Sequence, residues 1–173
     1  MTGSVVLVSG LPGVGKTTIA RALAGAAPRG VHLDSDDIGE SFIVSGLVVP
    51  GAEPADEAER QLALRRENLF ALSRNYTAAG FDVAVSDVVL WPGLLRAYRI
   101  GVFAPLRFVL LTASPEAVSA RDAGRDKQVA AAWTHLRAAQ DAWQAPGLRI
   151  DTTTLTAEAT LEAIHDGWDA ALV

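Results

Sequence analysis

The sequence predicts an α/β fold, and two features of the residue pattern support this prediction. Five short apolar runs alternate with longer segments in which apolar residues recur at helical spacing. The runs are largely continuous, which is typical of strands buried on both faces of a parallel sheet. Strands and helices that alternate in this way form a parallel sheet with right-handed crossovers and helices on both faces. A chain of 173 residues fits a single domain, residues 1–173, with about five parallel strands.

The predicted strands coincide with the apolar runs. Their ranges are 4–9, 30–33, 81–87, 106–111 and 148–151. The second run leads into Asp34 and Asp36, and the third run ends at Asp87. Carboxylates are therefore expected at the carboxyl ends of two strands, which in such sheets form the ligand crevice.

Capping residues and prolines mark the first two predicted helices. The first covers 17–26, carries its apolar residues on one stripe and is closed by Pro28. The second is expected over 36–45, with Asp34 or Ser35 as its N-terminal cap and acids in its first turn.

The remaining helices follow a loop rich in glycine and proline, residues 46–54, whose apolar side chains can cover a substrate. A long helix begins at Asp56, three residues before Glu59 in a capping-box pattern, and ends at Gly80. Later helices are predicted over 94–100, from residue 114 onward, and over 157–172.

The turn between the first strand and the first helix carries the phosphate-loop motif. It reads GLPGVGKT from Gly10 to Thr17 and fills every fixed position of G-x-x-x-x-G-K-[S/T]. Glycines permit positive φ, so that backbone N–H groups can turn inward around a phosphate. Lys16 can reach the β- and γ-phosphates, and the Thr17 hydroxyl is a hard ligand suited to Mg²⁺. The predicted nucleotide-binding residues are Gly10, Gly13, Val14, Gly15, Lys16, Thr17 and Thr18.

The strand-end aspartates are candidates for catalysis and substrate binding. Asp34 and Asp36 would face the bound phosphates, where one can take a proton and the other orient an accepting hydroxyl. Asp87 can hold a magnesium-bound water or a substrate hydroxyl. The alternatives are helix capping for the first two and a turn-forming role for Asp87.

Two further positions are candidates for the substrate. Arg65 and Arg66 lie in the middle of the long helix, where they can form solvated pairs with Glu59 and Glu67 or reach an anionic group on a substrate. The solvated pairs are favoured, and Arg66 is the candidate substrate contact. Trp91 can form a pocket wall or belong to the core.

The segment from Arg121 to Lys127 places three cations around a glycine. This pattern suits a mobile lid in which Arg121 and Arg125 clamp the transferred phosphate. An ordinary charged connection between helices is the alternative interpretation.

Composition excludes several classes of function. The chain has no cysteine, so it has neither disulfides nor thiolate chemistry. No apolar run approaches a membrane span, and no basic region precedes the first apolar run, so a cytoplasmic protein is expected. A net charge of −5 and the lack of interleaved aromatic and basic residues argue against a nucleic-acid partner. We expect no membrane partner, and a monomer or homodimer.

Other motifs separate the proteins that share a phosphate loop. The N-K-x-D motif expected of GTPases is missing from the sequence, and the third strand carries no D-x-x-G switch. The third strand ends in Ser86-Asp87-Val88 rather than in the two adjacent acids expected of transport and remodelling ATPases. A small kinase remains, in which catalysis depends on positioning and on stabilising charge.

The sequence resembles the small-molecule kinases of the phosphate-loop superfamily, and above all chloramphenicol phosphotransferase-like proteins. The likeness covers the loop, the acid after the second strand, the Gly46 to Pro50 segment and the Asp87 to Trp91-Pro92 segment. It implies a single-domain P-loop kinase fold, ATP and Mg²⁺ as cofactors, and a hydroxyl of a small molecule as acceptor.

Two other kinases share parts of this pattern. The segment Leu33-Asp34-Ser35-Asp36 looks like the D-S-D segment of shikimate kinase, which implies a magnesium or base role for Asp34 and hydroxyl binding by Asp36. The resemblance to the kinase domain of polynucleotide kinase implies that Asp36 is the base. The resemblance to chloramphenicol phosphotransferase points to Asp34 instead.

We therefore expect an ATP-dependent phosphotransferase that acts on a metabolite or an antibiotic. Its expected catalytic residues are Lys16, Asp34, Asp36, Arg121 and Arg125. Its expected metal ligands are Thr17 and Asp34, and its expected substrate contacts are Asp36, Arg66, Asp87 and Trp91. A nucleotide-binding regulatory protein with residual ATP hydrolysis is the alternative.

Overall fold

The strands form one parallel sheet in the order β2-β3-β1-β4-β5. The computed structural model describes residues 2–122 and 135–173. Its strands are β1 Val5–Ser9, β2 Gly30–Asp34, β3 Asp82–Ser86, β4 Leu106–Thr112 and β5 Leu148–Asp151. Neighbouring strands pair in parallel throughout. The prediction of an α/β fold with about five parallel strands is confirmed.

Helices cover both faces of the sheet. They are α1 Lys16–Ala26, α2 Ala55–Ala78, α3 Pro92–Val102, α4 Pro115–Asp122, α5 Arg137–Ala142 and α6 Ala157–Asp166. The crossover from β1 to β2 runs in one direction along the sheet, and the later crossovers run in the other. Since such crossovers are right-handed, α1 lies on one face, and α2 and α3 lie on the opposite face. The contacts agree, because α1 packs against α6 and α2 packs against α3.

Strand register sets the geometry of the carboxyl edge. In the β2–β3 pairing Asp34 lies beside Ser86, and in the β1–β3 pairing Ser86 lies beside Val8. The end of β2 is thereby brought next to the start of the phosphate loop. In the helical layer formed by α2 and α3, the rings of Phe70 and Tyr98 pack edge to face with their centroids 4.9 Å apart. This contact holds α2 over the strand ends.

Two predicted helices differ from those in the structure. The helix expected over 36–45 is a single π-helical turn, Asp37–Ser41. The last helix ends at Asp166 rather than at residue 172, because the C-terminal residues serve the sheet instead. Strand β5 pairs only with Val109–Thr112, and the C-terminal segment supplies hydrogen bonds to Leu106 and Phe108 at the other end of β4. Backbone groups that would otherwise be unpaired are thus satisfied.

The length and polarity of the helices bear on the expectation that the protein has no membrane partner. Within residues 2–122 and 135–173, every helix is too short or too polar to cross a bilayer.

Candidate active site

The phosphate loop leaves β1 and leads directly into α1. Gly10, Gly13 and Gly15 have φ angles of 139°, 88° and 103°, in the region that favours glycine. A Cβ on Gly10 would lie 2.2 Å from the Leu111 carbonyl oxygen, and one on Gly13 would lie 2.7 Å from Val118 Cγ1. Two of the glycines are therefore needed for close packing against β4 and α4 as well as for conformation.

Side chains distant in sequence hold the loop from behind. The Leu11 N–H donates to Gln140 Oε1 at 3.2 Å, and Thr152 Oγ1 donates to the Val14 carbonyl oxygen at 3.3 Å. Gln140 is fully buried, which its place among apolar residues at helical spacing could have signalled. Lys16 Nζ donates to the Leu11 carbonyl oxygen at 3.2 Å, which places the ammonium group over the loop.

Asp34 is buried and accepts hydrogen bonds on both carboxylate oxygens. Thr17 Oγ1 and Ser86 Oγ each donate to its Oδ2 at 2.8 Å, and the Asp36 N–H donates to its Oδ1 at 2.9 Å. The Thr17 hydroxyl of the phosphate loop and the carboxylate at the end of β2 therefore form one polar cluster. Both groups are hard oxygen ligands of the type that Mg²⁺ prefers.

His32 extends this cluster on the side away from the loop. Its Nε2 lies 3.1 Å from Ser86 Oγ. Because Ser86 gives its proton to Asp34, it can only accept from His32, which places the proton of a neutral ring on Nε2. Burial lowers the pKa of His32, and this effect outweighs the opposing charge of Asp34. The histidine thus supports the pair of Ser86 and Asp34 through a hydrogen bond.

Asp36 differs from Asp34 in its surroundings. Its side chain is 75% exposed and borders the crevice, and its Oδ1 accepts from Arg65 Nη1 at 3.0 Å. Within the described part of the chain, its Oδ2 has no hydrogen-bond partner. The pKa of Asp36 is raised, first because neighbouring groups remove part of its hydration and second because the Asp34 carboxylate is close; Arg65 and Lys16 oppose this shift.

Asp87 is the most deeply buried of the strand-end acids, with its side chain 4% exposed. Its Oδ2 accepts from Tyr98 Oη at 2.7 Å and from Arg66 Nε at 3.3 Å. Burial, together with the Asp87 charge, raises the pKa of Tyr98 well above its ordinary value, so the phenol remains a donor. Asp87 thus fixes Arg66 at the crevice wall.

The preference for solvated Arg65 and Arg66 was wrong. Their side chains are 6% and 19% exposed, and their partners Asp36 and Asp87 lie 29 and 21 residues away along the chain. Spacing along a helix predicts pairs three or four residues apart. It cannot show that the middle of α2 packs over the ends of β2 and β3.

One crevice of about 690 Å³ brings most of the predicted residues together. Its phosphate-loop side is lined by Gly13, Gly15, Lys16, Thr17 and Thr18. Its opposite side is lined by Asp34, Asp36, Arg66, Asp87 and Trp91. Apolar residues complete the wall, namely Val49, Pro50, Leu62, Val88 and Leu136. Trp91, at 43% exposure, is a wall residue rather than part of the core.

Three of the predicted residues that the structure describes do not line the crevice. Gly10 and Val14 support the loop from behind rather than lining the crevice. Arg121 donates through both terminal nitrogens to Thr152, to its hydroxyl at 3.1 Å and its carbonyl oxygen at 2.5 Å, behind the phosphate loop. Arg125 lies outside the described residues. The phosphate-clamping role of these two arginines therefore stays a prediction.

The chemistry of the donor set fits Mg²⁺ bound together with a nucleotide. In residues 2–122 and 135–173, no group of three or more His, Cys, Asp and Glu side chains is placed to hold a metal ion. Thr17 and Asp34 offer two oxygen ligands instead. Mg²⁺ in nucleotide sites commonly uses one or two protein ligands and completes its shell with waters and phosphate oxygens.

A comparison with protein families assigns most of the chain. A family model described as an AAA domain matches residues 5–146. That description names a domain and no reaction.

Several solved structures share the fold over almost their whole length. A sugar kinase from Janibacter sp. HTCC2649 is 18% identical, with a TM-score of 0.68 over 98% of this chain and 96% of that one. The APS kinase CysC of Mycobacterium tuberculosis, solved with AMPPNP and APS, is 16% identical, with a TM-score of 0.67 over 97% and 98%. The tunicamycin resistance protein of Deinococcus radiodurans is 20% identical, with a TM-score of 0.65 over 99% and 98%. At these identities the likeness establishes the fold, which is the expected P-loop kinase fold.

Proposed function

The chain belongs to the AAA domain family, and from this premise we propose that it is an ATP-dependent kinase that phosphorylates a hydroxyl group of a small molecule. One observation carries the proposal: two carboxylates with opposite surroundings lie beside the phosphate loop. Asp34 is buried and accepts three hydrogen bonds, whereas Asp36 is exposed and keeps one oxygen open to the crevice. Phosphoryl transfer to a hydroxyl uses both kinds, one beside the metal and one that takes a proton.

ATP would occupy the phosphate-loop side of the crevice. The loop amides and the N-terminus of α1 present partial positive charge to the phosphates, and Lys16 adds a full charge. Thr17 and Asp34 would hold Mg²⁺, which when bound neutralises the charge that develops on the phosphate oxygens.

Asp36 is the better candidate for the base. In the transfer step, the hydroxyl oxygen of the acceptor bonds to the γ-phosphorus, the bond from that phosphorus to the bridging oxygen breaks, and ADP leaves. The hydroxyl proton passes to Oδ2 of Asp36. Asp34 is less suited because Thr17, Ser86 and the Asp36 N–H already donate to its oxygens. This difference between the two carboxylates supports Asp36 as the base, a choice that the sequence left open.

The acceptor would lie between α2 and the loop of residues 46–54. Val49, Pro50 and Trp91 give this part of the crevice an apolar surface. Arg66 is held by its Nε, which leaves its terminal nitrogens available as donors at the wall. An apolar surface with a few fixed polar groups suits a compound that has both apolar parts and hydroxyl groups.

The structural neighbours support this proposal. Two of them are kinases by name, and one was solved with AMPPNP in place. We further propose that the protein acts in the cytoplasm as one domain, monomeric or dimeric, without a membrane or nucleic-acid partner. Its net charge of −5 and the need for ATP support this part.

The proposal is tested by incubating the protein with Mg·ATP and a library of metabolites and antibiotics, and detecting phosphorylated products by mass spectrometry. With the acceptor found, Asp36→Asn should keep its affinity for ATP and lose transfer by roughly two to four orders of magnitude. Asp34→Asn should instead raise the Mg²⁺ concentration that transfer requires. Asp37→Asn is the matched control, because this exposed neighbour does not line the crevice.

Two results would contradict the proposal. Wild-type protein that binds Mg·ATP and phosphorylates no compound would favour the regulatory alternative. Full turnover by Asp36→Asn would remove Asp36 from the base role.

A further inference from the structure

We propose that Arg65 and Gly39 form a device that positions the Asp36 carboxylate for proton transfer. The inference rests on the proposed kinase function and adds two residues to it. Arg65 lies on α2, and Gly39 lies in the π-helical turn that follows Asp36. The sequence singled out Arg65 only as one of two cations in the middle of the long helix, with a solvated pair favoured, and it did not single out Gly39.

Arg65 is a buried charge with few partners. Its Nη1 donates to Asp36 Oδ1 at 3.0 Å. Among the residues that the structure describes, its Nε has no hydrogen-bond partner, although that atom is buried. A buried donor without a partner costs stability, because it has lost its hydrogen bonds to water and gained none in the protein. The burial of Arg65 is therefore poorly explained by stability alone, and its contact with Asp36 supplies a functional reason.

Gly39 makes room for the guanidinium group. A Cβ at this position would lie 2.1 Å from Arg65 Nε and 2.2 Å from both Cζ and Nη2. The φ angle of Gly39 lies outside the left-handed region, so its backbone conformation does not require glycine. The absent side chain is what this position needs, because any larger residue would displace the guanidinium group.

The contact leaves the carboxylate fixed and usable. Nη1 of Arg65 holds Oδ1 of Asp36, while Oδ2 remains open to the crevice. The planar guanidinium group, wedged against Gly39, has a defined orientation that a flexible lysine ammonium would lack. Because a shift of about 1 Å at a reacting group can cost roughly 100-fold in rate, such fixation bears directly on transfer.

The test uses Gly39→Ala, Arg65→Lys, Arg65→Met and the Gly39→Ala/Arg65→Met double variant in the full chain. Gly39→Ala and Arg65→Lys should each lower kcat for acceptor phosphorylation by roughly 10- to 100-fold. ATP affinity by calorimetry and the melting temperature should stay near the wild-type values, because the clash at Gly39 meets only the movable end of a side chain. In the double variant, Gly39→Ala should add no further loss, since the group it displaces is gone.

Two control variants make the same amino-acid exchanges at helical positions away from the crevice. Arg74→Lys makes the same exchange on α2 at a residue that bonds the Gly101 carbonyl oxygen outside the crevice. Gly25→Ala makes the same exchange in α1, where a Cβ meets nothing within 4 Å. Both should keep the wild-type kcat.

The outcomes separate the two proposals. Acceptor phosphorylation with unchanged kcat in Gly39→Ala and Arg65→Lys would overturn the positioning role and leave the kinase function standing. Equal losses of kcat, ATP affinity and melting temperature would also overturn it, in favour of a general structural role. If the wild-type protein phosphorylates no acceptor, the kinase proposal and the positioning proposal both fail. This outcome is seen with the wild-type protein alone, without any variant.

Discussion

The two sides of the crevice are built in different ways. On the phosphate side, Gly13, Gly15, Lys16 and Thr17 are near neighbours in sequence, and the binding groups are largely backbone N–H groups and one ammonium. The opposite side, around Asp36, Arg66 and Asp87, is called the acceptor side because we propose that the acceptor binds there. Its groups are side chains that α2 and the ends of β2 and β3 bring together. The phosphate side is thus a local structure with distant support, whereas the acceptor side exists only in the folded sheet.

The two arginine pairs of the acceptor side also differ from each other. In one pair the arginine is buried and Asp36 is exposed, and in the other the carboxylate of Asp87 is the more buried partner. Asp87 has a second donor in Tyr98, which ties it to α3. This arrangement suits Asp36 for chemistry and Asp87 for holding the wall in place.

The largest effect is expected from a change on the phosphate side of the crevice. Lys16→Ala should reduce phosphoryl transfer by roughly 10³-fold, because it removes the single full positive charge that the loop offers to the phosphates. It should also weaken ATP binding. The melting temperature should change much less than transfer does, since Lys16 lies in a loop at the crevice rather than in the core. Calorimetry with ATP and thermal denaturation measure the two quantities. Equal ATP affinity in Lys16→Ala and in wild type would contradict the assignment of the phosphate side. The control is Arg99→Ala, at an exposed position of α3, which should match wild type in ATP affinity and in melting temperature.

An intermediate effect is expected when the arginine of either pair is replaced, and the loss in free energy of unfolding should differ between the two pairs. Arg66→Met leaves the buried Asp87 carboxylate without its counter-charge and should lower the free energy of unfolding by about 3 kcal/mol. Arg65→Met leaves only the exposed Asp36 unpaired and should cost about 1 kcal/mol or less. Urea denaturation of the two variants makes the comparison directly. A larger loss in Arg65→Met than in Arg66→Met would reverse the contrast drawn between the pairs.

The smallest effect concerns a strand-end aspartate away from the crevice. Asp151 ends β5 and accepts from Thr153 Oγ1 and the Thr153 N–H, and these hydrogen bonds lower its pKa. A lowered folded-state pKa stabilises the fold above the unfolded pKa of about 3.9, and the contribution is lost as pH falls through the lower, folded-state value. Asp151→Asn should therefore lower the melting temperature slightly at pH 7 and have no effect in strong acid. Transfer activity should be unchanged, and a change in kcat would show that strand-end acids outside the crevice also matter.

The sequence predicted the phosphate side closely because its signals are local. The motif, the strand before it and the helix after it lie within 26 residues, so spacing alone defines a turn with inward amides. The support behind the loop was missed. Gln140 and Thr152 reach Leu11 and Val14 only after β4 and β5 have paired beside β1.

The sequence predicted which residues lie on the acceptor side of the crevice, but it did not predict how they pair with one another. Aspartates at strand ends were expected at the crevice because parallel strands present their carboxyl ends at one edge. Which carboxylate is buried, and which arginine reaches it, could not be read from periodicity, since each pair joins residues more than 20 positions apart.

The sequence by itself determined the fold class, the strand positions and the phosphate loop, because all three rest on patterns of period and spacing within short segments. Only the tertiary structure decided the separate surroundings of Asp34 and Asp36. The register of β2 against β3 puts Asp34 beside Ser86, while the packing of α2 over the strand ends puts Arg65 beside Asp36. Such contacts depend on how elements distant in the chain pack together, and no local pattern of residues encodes that.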